Sequence, residues 1–492
     1  MRFSKDFFSP NYLSKLKYGR KLYGGYCMRK VDLIIKNAYL ISMNTEREIL
    51  KDACIIIEKS KIIDIGKANL LEKYISEKTI DAKGKVVFPG FISTHSHLFQ
   101  TLLKGLGRDK LLLDWLDSSV RRAIHKIDDE CCYYAALTGC IEAIKTGTTT
   151  ILDYMYCHGK EGLDDSIIRA FEDLGIRGIL GRGFTDTSKF PEEFGCTYHD
   201  TEQKFFDDVR RLNKKYKNHS RIGMALAPGI IWDNTEDGYK EIRKIADELN
   251  IPITMHLLET EDDDKYCLDD RGMKTVPYLE KMGILGPDFI AVHCIHMSDE
   301  DIELFKKYDV KISHNPVSNM VLAAGVAPIP RFIEEGLTIS LACDGSASND
   351  TQNILEVMKM TTLLQKVTHR DAKLLPSSSV LEMATLGGAK SINKLDSLGS
   401  IEVGKNADIV IYNPYKSSIS IPIHDPISSL IYSSTPNNIE TSIIDGKVVM
   451  ENNQITTIDE EKVLYKTQQI ASKLIADIGL GNVQWGKRIY GL

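Results

Sequence analysis

The chain has 492 residues, 43% of them hydrophobic and 26% charged, and a net charge of −6 from 62 basic and 68 acidic side chains. That balance excludes a disordered chain, a collagen-like fibre and a disulfide-stapled miniprotein. The mild acidic excess gives no general attraction to nucleic acid or anionic membranes, and no apolar stretch nears the roughly 18 residues of a bilayer span.

Residues 1–27 are basic and aromatic but lack the apolar core and small-residue cleavage site of a secretory signal. Met28 opens MRKVDLIIKNAYL, which reads as the start of the fold, so 1–27 is expected to be a dispensable extension. VDLIIKNAYLI, DACIIIEKSKIIDIG and KTIDAKGKVVFPG then read as short β-branched strands, a texture that returns in GSIEVGKNADIVIYNP and ETSIIDGKVVMENNQI. Segments 28–88 and 398–456 are therefore expected to build one small β-sandwich from both chain ends.

Between them, 89–397 alternates strand and helix. Eight apolar runs (VVFPGFIST, TTTILDYMY, RGILGRGF, RIGMALAPG, PITMHLLE, FIAVHCIHM, VKISHNP and TISLACDG) are separated by helix-period stretches such as DGYKEIRKIADELN. Eightfold alternation predicts an α/β fold, a (β/α)₈ TIM barrel. A helical tail is expected over 457–492. Ten scattered cysteines without a C-x-x-C pair suit reduced thiols and a cytoplasmic protein.

Barrel chemistry sits where strands end. Strand 1 ends in T-H-S-H, and alternation puts His95 and His97 on one side, within reach of one metal ion. Strand 5 offers His256 and, three residues on, Glu259; strand 6 offers His293; strand 8 ends at Asp344. A lone H-x-H is commonly accidental and a lone D-G is commonly a turn. Their occurrence in order, at the ends of strands 1, 5, 6 and 8, is what points to a site. The chain lacks a P-loop, a dinucleotide-binding glycine fingerprint and the H-x-E…P-C-x-x-C signature of cytidine-type deaminases.

Through PGFISTHSHLFQTLLKGL, HLLET, AVHCIHM, ISHNPVSNMVLAAGVAPIPRFIEEG, DGSASND and GSIEVGKNADIVI, the chain resembles the amidohydrolase superfamily. The likeness is nearest to the branch of guanine, 8-oxoguanine and methylthioadenosine/S-adenosylhomocysteine deaminases and triazine hydrolases. The resemblance implies His95, His97, His256 and Asp344 as metal ligands, with Glu259, His293 and Asp344 catalytic. It also implies a substrate pocket that includes Gln100, Trp115, Arg182 and Asn319. Many relatives add a carboxylated lysine on strand 4. RIGMALAPGI has no Lys or Glu at its end, so one divalent ion, zinc or iron, is expected.

The function expected is metal-dependent hydrolysis of a C–N bond, the deamination of a nitrogen heterocycle such as a purine, pyrimidine or triazine. Asp344 takes a proton as water attacks an amidine-like carbon, Glu259 protonates the adjacent ring nitrogen, and His293 holds the attacking oxygen. A methylthioadenosine/S-adenosylhomocysteine-type nucleoside deaminase and a triazine chlorohydrolase are the alternatives. Relatives of the first kind read G-P-H after strand 4; here the text is A-P-G, ending at Gly229, which favours free bases and triazines. A cyclic-amide hydrolase leaves Glu259 without a role, and a catalytically dead barrel would not need all four ligands. The expected partner is a small heterocyclic substrate, with no nucleic acid and no membrane, in a homo-oligomer.

Overall fold

Gly90 divides the first apolar run between two sheets. In the computed structural model Val86–Pro89 joins one sheet and Phe91–Ser93 another, where the sequence suggested a single strand. A Cβ at position 90 would come within 2.7 Å of Thr149 Cβ, so only glycine lets the chain cross there. The structure describes residues 22–23, 26–186 and 202–480. The expected extension lies outside these except for Leu22–Tyr23 and Tyr26–Cys27, which pair antiparallel. The last residues of the expected tail also lie outside.

Eight parallel strands close the barrel in chain order: β1 Phe91–Ser93, β2 Thr148–Met155, β3 Arg177–Phe184, β4 Ile222–Pro228, β5 Ile253–Leu257, β6 Phe289–His293, β7 Lys311–His314 and β8 Thr338–Leu341. β8 returns to β1 at Leu341 and Ser93. A barrel strand is covered on both faces, which is why each appears in the sequence as a continuous apolar run. The intervening helices start at side-chain caps. Asp128 accepts the Cys131 N–H ahead of Asp129–Lys145, and Ser298 forms a capping box with Asp301 ahead of Asp299–Tyr308.

The two flanks meet as expected. Val86–Pro89 pairs antiparallel with Ile409–Tyr412, Val87 opposite Ile411, joining strands from both chain ends in one path of hydrogen bonds. Leu33, Ile35, Ile55, Val87, Ile409 and Ile443 pack in a core of their own, and this is the small β-sandwich. Arg177, at the start of β3, fastens the sandwich to the barrel. Its Nε and Nη2 lie 2.9 and 3.0 Å from the two carboxylate oxygens of Asp408, and both side chains are buried. The C-terminal helix Glu460–Asp477 lies against Asp129–Lys145, with Thr467 Oγ1 2.7 Å from Thr138 Oγ1. Among the described residues no helix is long and apolar enough to cross a membrane. Cys54, Cys131, Cys132, Cys140, Cys157, Cys267, Cys294 and Cys343 are buried free thiols.

Candidate active site and metal centre

Beyond β1 and β8 the chain runs on as a second, two-residue parallel ladder, Ser96 opposite Asp344 and His97 opposite Gly345. This short ladder brings the T-H-S-H segment to the aspartate. His95 Nε2 and His97 Nε2 stand 3.3 and 3.4 Å from Asp344 Oδ1, and His97 Nε2 stands 3.1 Å from His256 Nε2. One ligand nitrogen from each of His95, His97 and His256 lies within 4.8 Å of the others. Ligands about 2.1 Å from a tetrahedral ion are separated by about 3.4 Å.

The chemistry of the donors fits a cation. His95 is fully buried, with no hydrogen-bond partner at Nδ1 and with Nε2 facing Asp344 Oδ1 at 3.3 Å. His97 Nδ1 lies 2.8 Å from the Tyr154 carbonyl, which accepts its proton and leaves Nε2 a bare lone pair facing His256. Burial, then neighbouring His95, pushes the His97 imidazolium down to about 3, and the same two causes hold His256 well below its ordinary value. Neutral imidazoles with converging lone pairs need a positive charge between them. Burial alone would raise the Asp344 carboxyl, but His95 outweighs it and holds Asp344 well below the usual carboxylate range.

Three strand ends carry the site on left-handed backbone: Leu258 at φ 48°, His293 at φ 74° and Asp344 at φ 64°. Such conformations in residues other than glycine collect where function re-aims a side chain. Glu259, beyond Leu258, is 4% exposed, and burial raises its carboxyl above the ordinary value. Its Oε2 stands 3.5 Å from His293 Nε2. Both face one cavity with His97, His256 and Asp344.

The four expected pocket residues separate. Gln100 lines the cavity, and its Nε2 donates to the Tyr156 hydroxyl at 2.7 Å. Its carboxamide lies where a Cβ on Gly345 would be, 2.6 Å from Gln100 Cδ, so a side chain at position 345 would displace it. Trp115 walls the cavity and also ties it to the Asp344 loop, Nε1 donating to the Ala347 carbonyl at 3.3 Å. Asn319 is absent from the cavity wall. Its Oδ1 lies 2.9 Å from His293 Nδ1, so it orients that imidazole instead. Arg182 is also absent from the wall. It is buried behind β3, Nε 2.9 Å from Asp164 Oδ2 and 3.5 Å from Asp208 Oδ2, because strand alternation turns it away from the barrel axis.

Several residues escaped the sequence reading. Tyr154 and Tyr156, at i and i+2 in TTTILDYMY, both line the cavity, and their spacing was the available signal. Asp153, on the opposite face, accepts the Leu98 N–H at 2.7 Å and so holds the chain just past His97. Asp263 comes from the acidic run TEDDD, a text that reads as solvated surface, yet it is fully buried beside Glu259. Asp233 lines the cavity with no local motif to announce it.

Comparison with known proteins agrees with this geometry. Residues 86–449 match the profile of the amidohydrolase family. A 5'-deoxyadenosine deaminase of Methanobrevibacter smithii is 34% identical over 454 residues, covering 90% of this chain and 98% of its own. A 5-methylthioadenosine/S-adenosylhomocysteine deaminase of Thermoanaerobacter pseudethanolicus is 34% identical over 447 residues, covering 90% and 100%. The crystal structure of an adenosine deaminase from Xanthomonas campestris with bound zinc superposes with a TM-score of 0.85 at 23% identity, covering 91% of this chain and 100% of that one. A profile match spanning barrel and sandwich, together with relatives aligned almost end to end, makes this chain a member of the amidohydrolase family.

Proposed function

We propose that the protein is a metal-dependent hydrolase that deaminates a nitrogen heterocycle, an adenine nucleoside above all. The observation that carries this reading is Glu259, a buried carboxyl with raised proton affinity, 3.5 Å from His293 and in one cavity with the histidine–aspartate cluster. Attack on an aromatic amidine carbon requires a proton on the adjacent ring nitrogen, and a carboxyl whose burial favours its protonated form is suited to deliver it. The nucleoside preference is supported by the two relatives at 34% identity, both described as deaminases of adenine nucleosides. It outweighs the free-base and triazine preference drawn from Gly229.

His95, His97, His256 and Asp344 would hold one divalent ion, zinc or iron, whose charge acidifies water and polarises the reacting carbon's substituent. Zinc is supported by the adenosine deaminase of like fold, and a single ion by the lack of a Lys or Glu side chain at the end of β4. Asp344 accepts a proton from the attacking water and passes it to the leaving amine. Glu259 donates to the ring nitrogen, and His293, held by Asn319, hydrogen-bonds the attacking oxygen. General acid–base steps of this kind contribute about 10²–10⁴-fold each.

The same proposal treats 28–88 with 398–456 as the sandwich, 89–397 as the catalytic barrel, 457–492 as a tail and 1–27 as an extension. Buried free thiols support a cytoplasmic setting. A homo-oligomer is supported by exposed Leu363 and Val367, four apart on helix Ile354–His369. The test of function is ammonia release from metal-replete protein offered 5'-deoxyadenosine, methylthioadenosine, adenosine, purine bases and aminotriazines. Release from the nucleosides is expected; silence on every amino-heterocycle rejects deamination.

A further inference from the structure

We propose that Tyr156 selects the substrate by donating a hydrogen bond to a ring nitrogen on the edge of the heterocycle that faces away from Glu259. The inference rests on the deaminase reading above and narrows its substrates to rings that carry a lone pair there.

Tyr154, on β2, and Tyr156, just past its end, both line the cavity, but their hydroxyls are used differently. The Tyr154 hydroxyl is held by backbone carbonyls, those of Pro228 and, at 3.1 Å, Gly229. The Tyr156 hydroxyl instead accepts, from Gln100 Nε2 at 2.7 Å. Among the described residues no group takes the proton of that hydroxyl. A phenol ordinarily loses its proton near pH 10, and burial raises the Tyr156 value further, so at neutral pH it is a donor. A donor kept from water costs free energy until an acceptor meets it, and once substrate fills the cavity that acceptor must belong to the substrate.

The hydroxyl is fixed at the metal end of the cavity. The Tyr156 ring meets that of His97 edge-on with centroids 4.8 Å apart, and that of Phe99 at 4.9 Å. Gln100 is packed in turn against Gly345, beside Asp344. β2 and β5 stand three strands apart in a barrel of eight, so Tyr156 and Glu259 approach a bound ring from different sides. A heterocycle that gives one ring nitrogen to Glu259 therefore turns its other edge toward Tyr156.

In a purine attacked at its amino-bearing carbon, the six-membered ring supplies the protonated nitrogen and N7 lies on the other edge. A triazine likewise has nitrogen on both sides of the reacting carbon. Cytosine has a C–H on that side, which leaves the phenol proton without an acceptor. Tyr156 thus favours purines and triazines over aminopyrimidines.

The test compares kcat/KM on adenosine and 7-deazaadenosine, and on adenine and 7-deazaadenine, using the metal-replete native protein, Tyr156→Phe and Gln100→Glu. Each analogue replaces N7 by C–H, and comparing parent-to-analogue ratios between proteins cancels the analogue's own reactivity. The native ratio should exceed the Tyr156→Phe ratio by about 10- to 100-fold, the variant losing activity on the parent and little on the analogue. Gln100→Glu, whose carboxylate accepts the Tyr156 proton, should reproduce the phenylalanine result with metal content unchanged. Equal ratios in the native protein and a folded, metal-loaded Tyr156→Phe protein overturn the proposal and leave the deaminase reading standing. Native protein silent on adenosine and adenine overturns the proposal too; silence on every amino-heterocycle overturns the deaminase reading with it.

Discussion

Glu259 Oε2 faces His293 Nε2 across 3.5 Å, one from just beyond β5 and the other from the end of β6. In the proposed mechanism the pairing sets the proton donor beside the group that would hold the attacking oxygen. Glu259→Gln should keep the metal, since the side chain is not among the proposed ligands. It should lower kcat on an amino-heterocycle by about 10²–10⁴, the range expected for losing one general acid. KM should move far less, because the amide still hydrogen-bonds but delivers no proton. Full activity would sink the mechanism, whereas loss of metal would make Glu259 a ligand.

Metal analysis of the purified protein should find about one divalent ion per chain. Chelation should abolish activity, and zinc or iron should restore it. His95→Ala and Asp344→Ala should each empty or disorder the centre, because each removes one of four donors drawn from three segments. Two tightly held ions per chain would reject a mononuclear site.

Asn319 does not line the cavity, and in the proposed mechanism it would act through His293. Asn319→Ala removes the acceptor 2.9 Å from Nδ1 and frees the ring to turn. Activity should fall by about 10- to 100-fold, as outer partners of site histidines generally cost. Metal content should stay intact, and Asn319→Asp, which restores an acceptor, should recover part of the rate. A substrate-binding role would instead raise KM with kcat preserved.

Breaking the Arg177–Asp408 pair should cost stability and not catalysis. Both groups are buried, so Arg177→Ala leaves a carboxylate without its bidentate partner, at about 3–5 kcal/mol. Urea unfolding measures the loss, and kcat/KM of the folded variant should match the native value. A cost below about 1 kcal/mol, the level of an exposed pair, would mean that the sandwich is held by other contacts.

A chain starting at Met28 should fold, bind metal and turn over as the full chain does. The strand Arg29–Ile41 is the first long one and pairs with Ile49–Glu58, Tyr74–Asp81 and Val86–Pro89, all within the shortened chain. Insolubility or loss of metal in the shortened chain would make 1–27 part of the fold.

The order of amino acids by itself determined the barrel and the cluster at its mouth. Parallel strands covered on both faces are predominantly apolar, so eight such runs stand out against helices with charged outer faces. His95, His97, His256, Glu259, His293 and Asp344 were legible because polar residues at the ends of apolar runs have few reasons to be there. Only the tertiary structure decided which way other side chains point. Arg182 has the chemistry of a pocket residue, but one step of strand alternation turns it toward Asp164. Asn319 is committed to His293 by a contact spanning 26 residues. Asp263 looks like surface until helix Asp262–Arg271 folds it in beside Glu259. Gly229 reads as a missing side chain until Asp233, four residues on, is seen to fill the gap. Local pattern reports burial and periodicity; the partner that a buried polar group will meet depends on chain segments brought together only by folding.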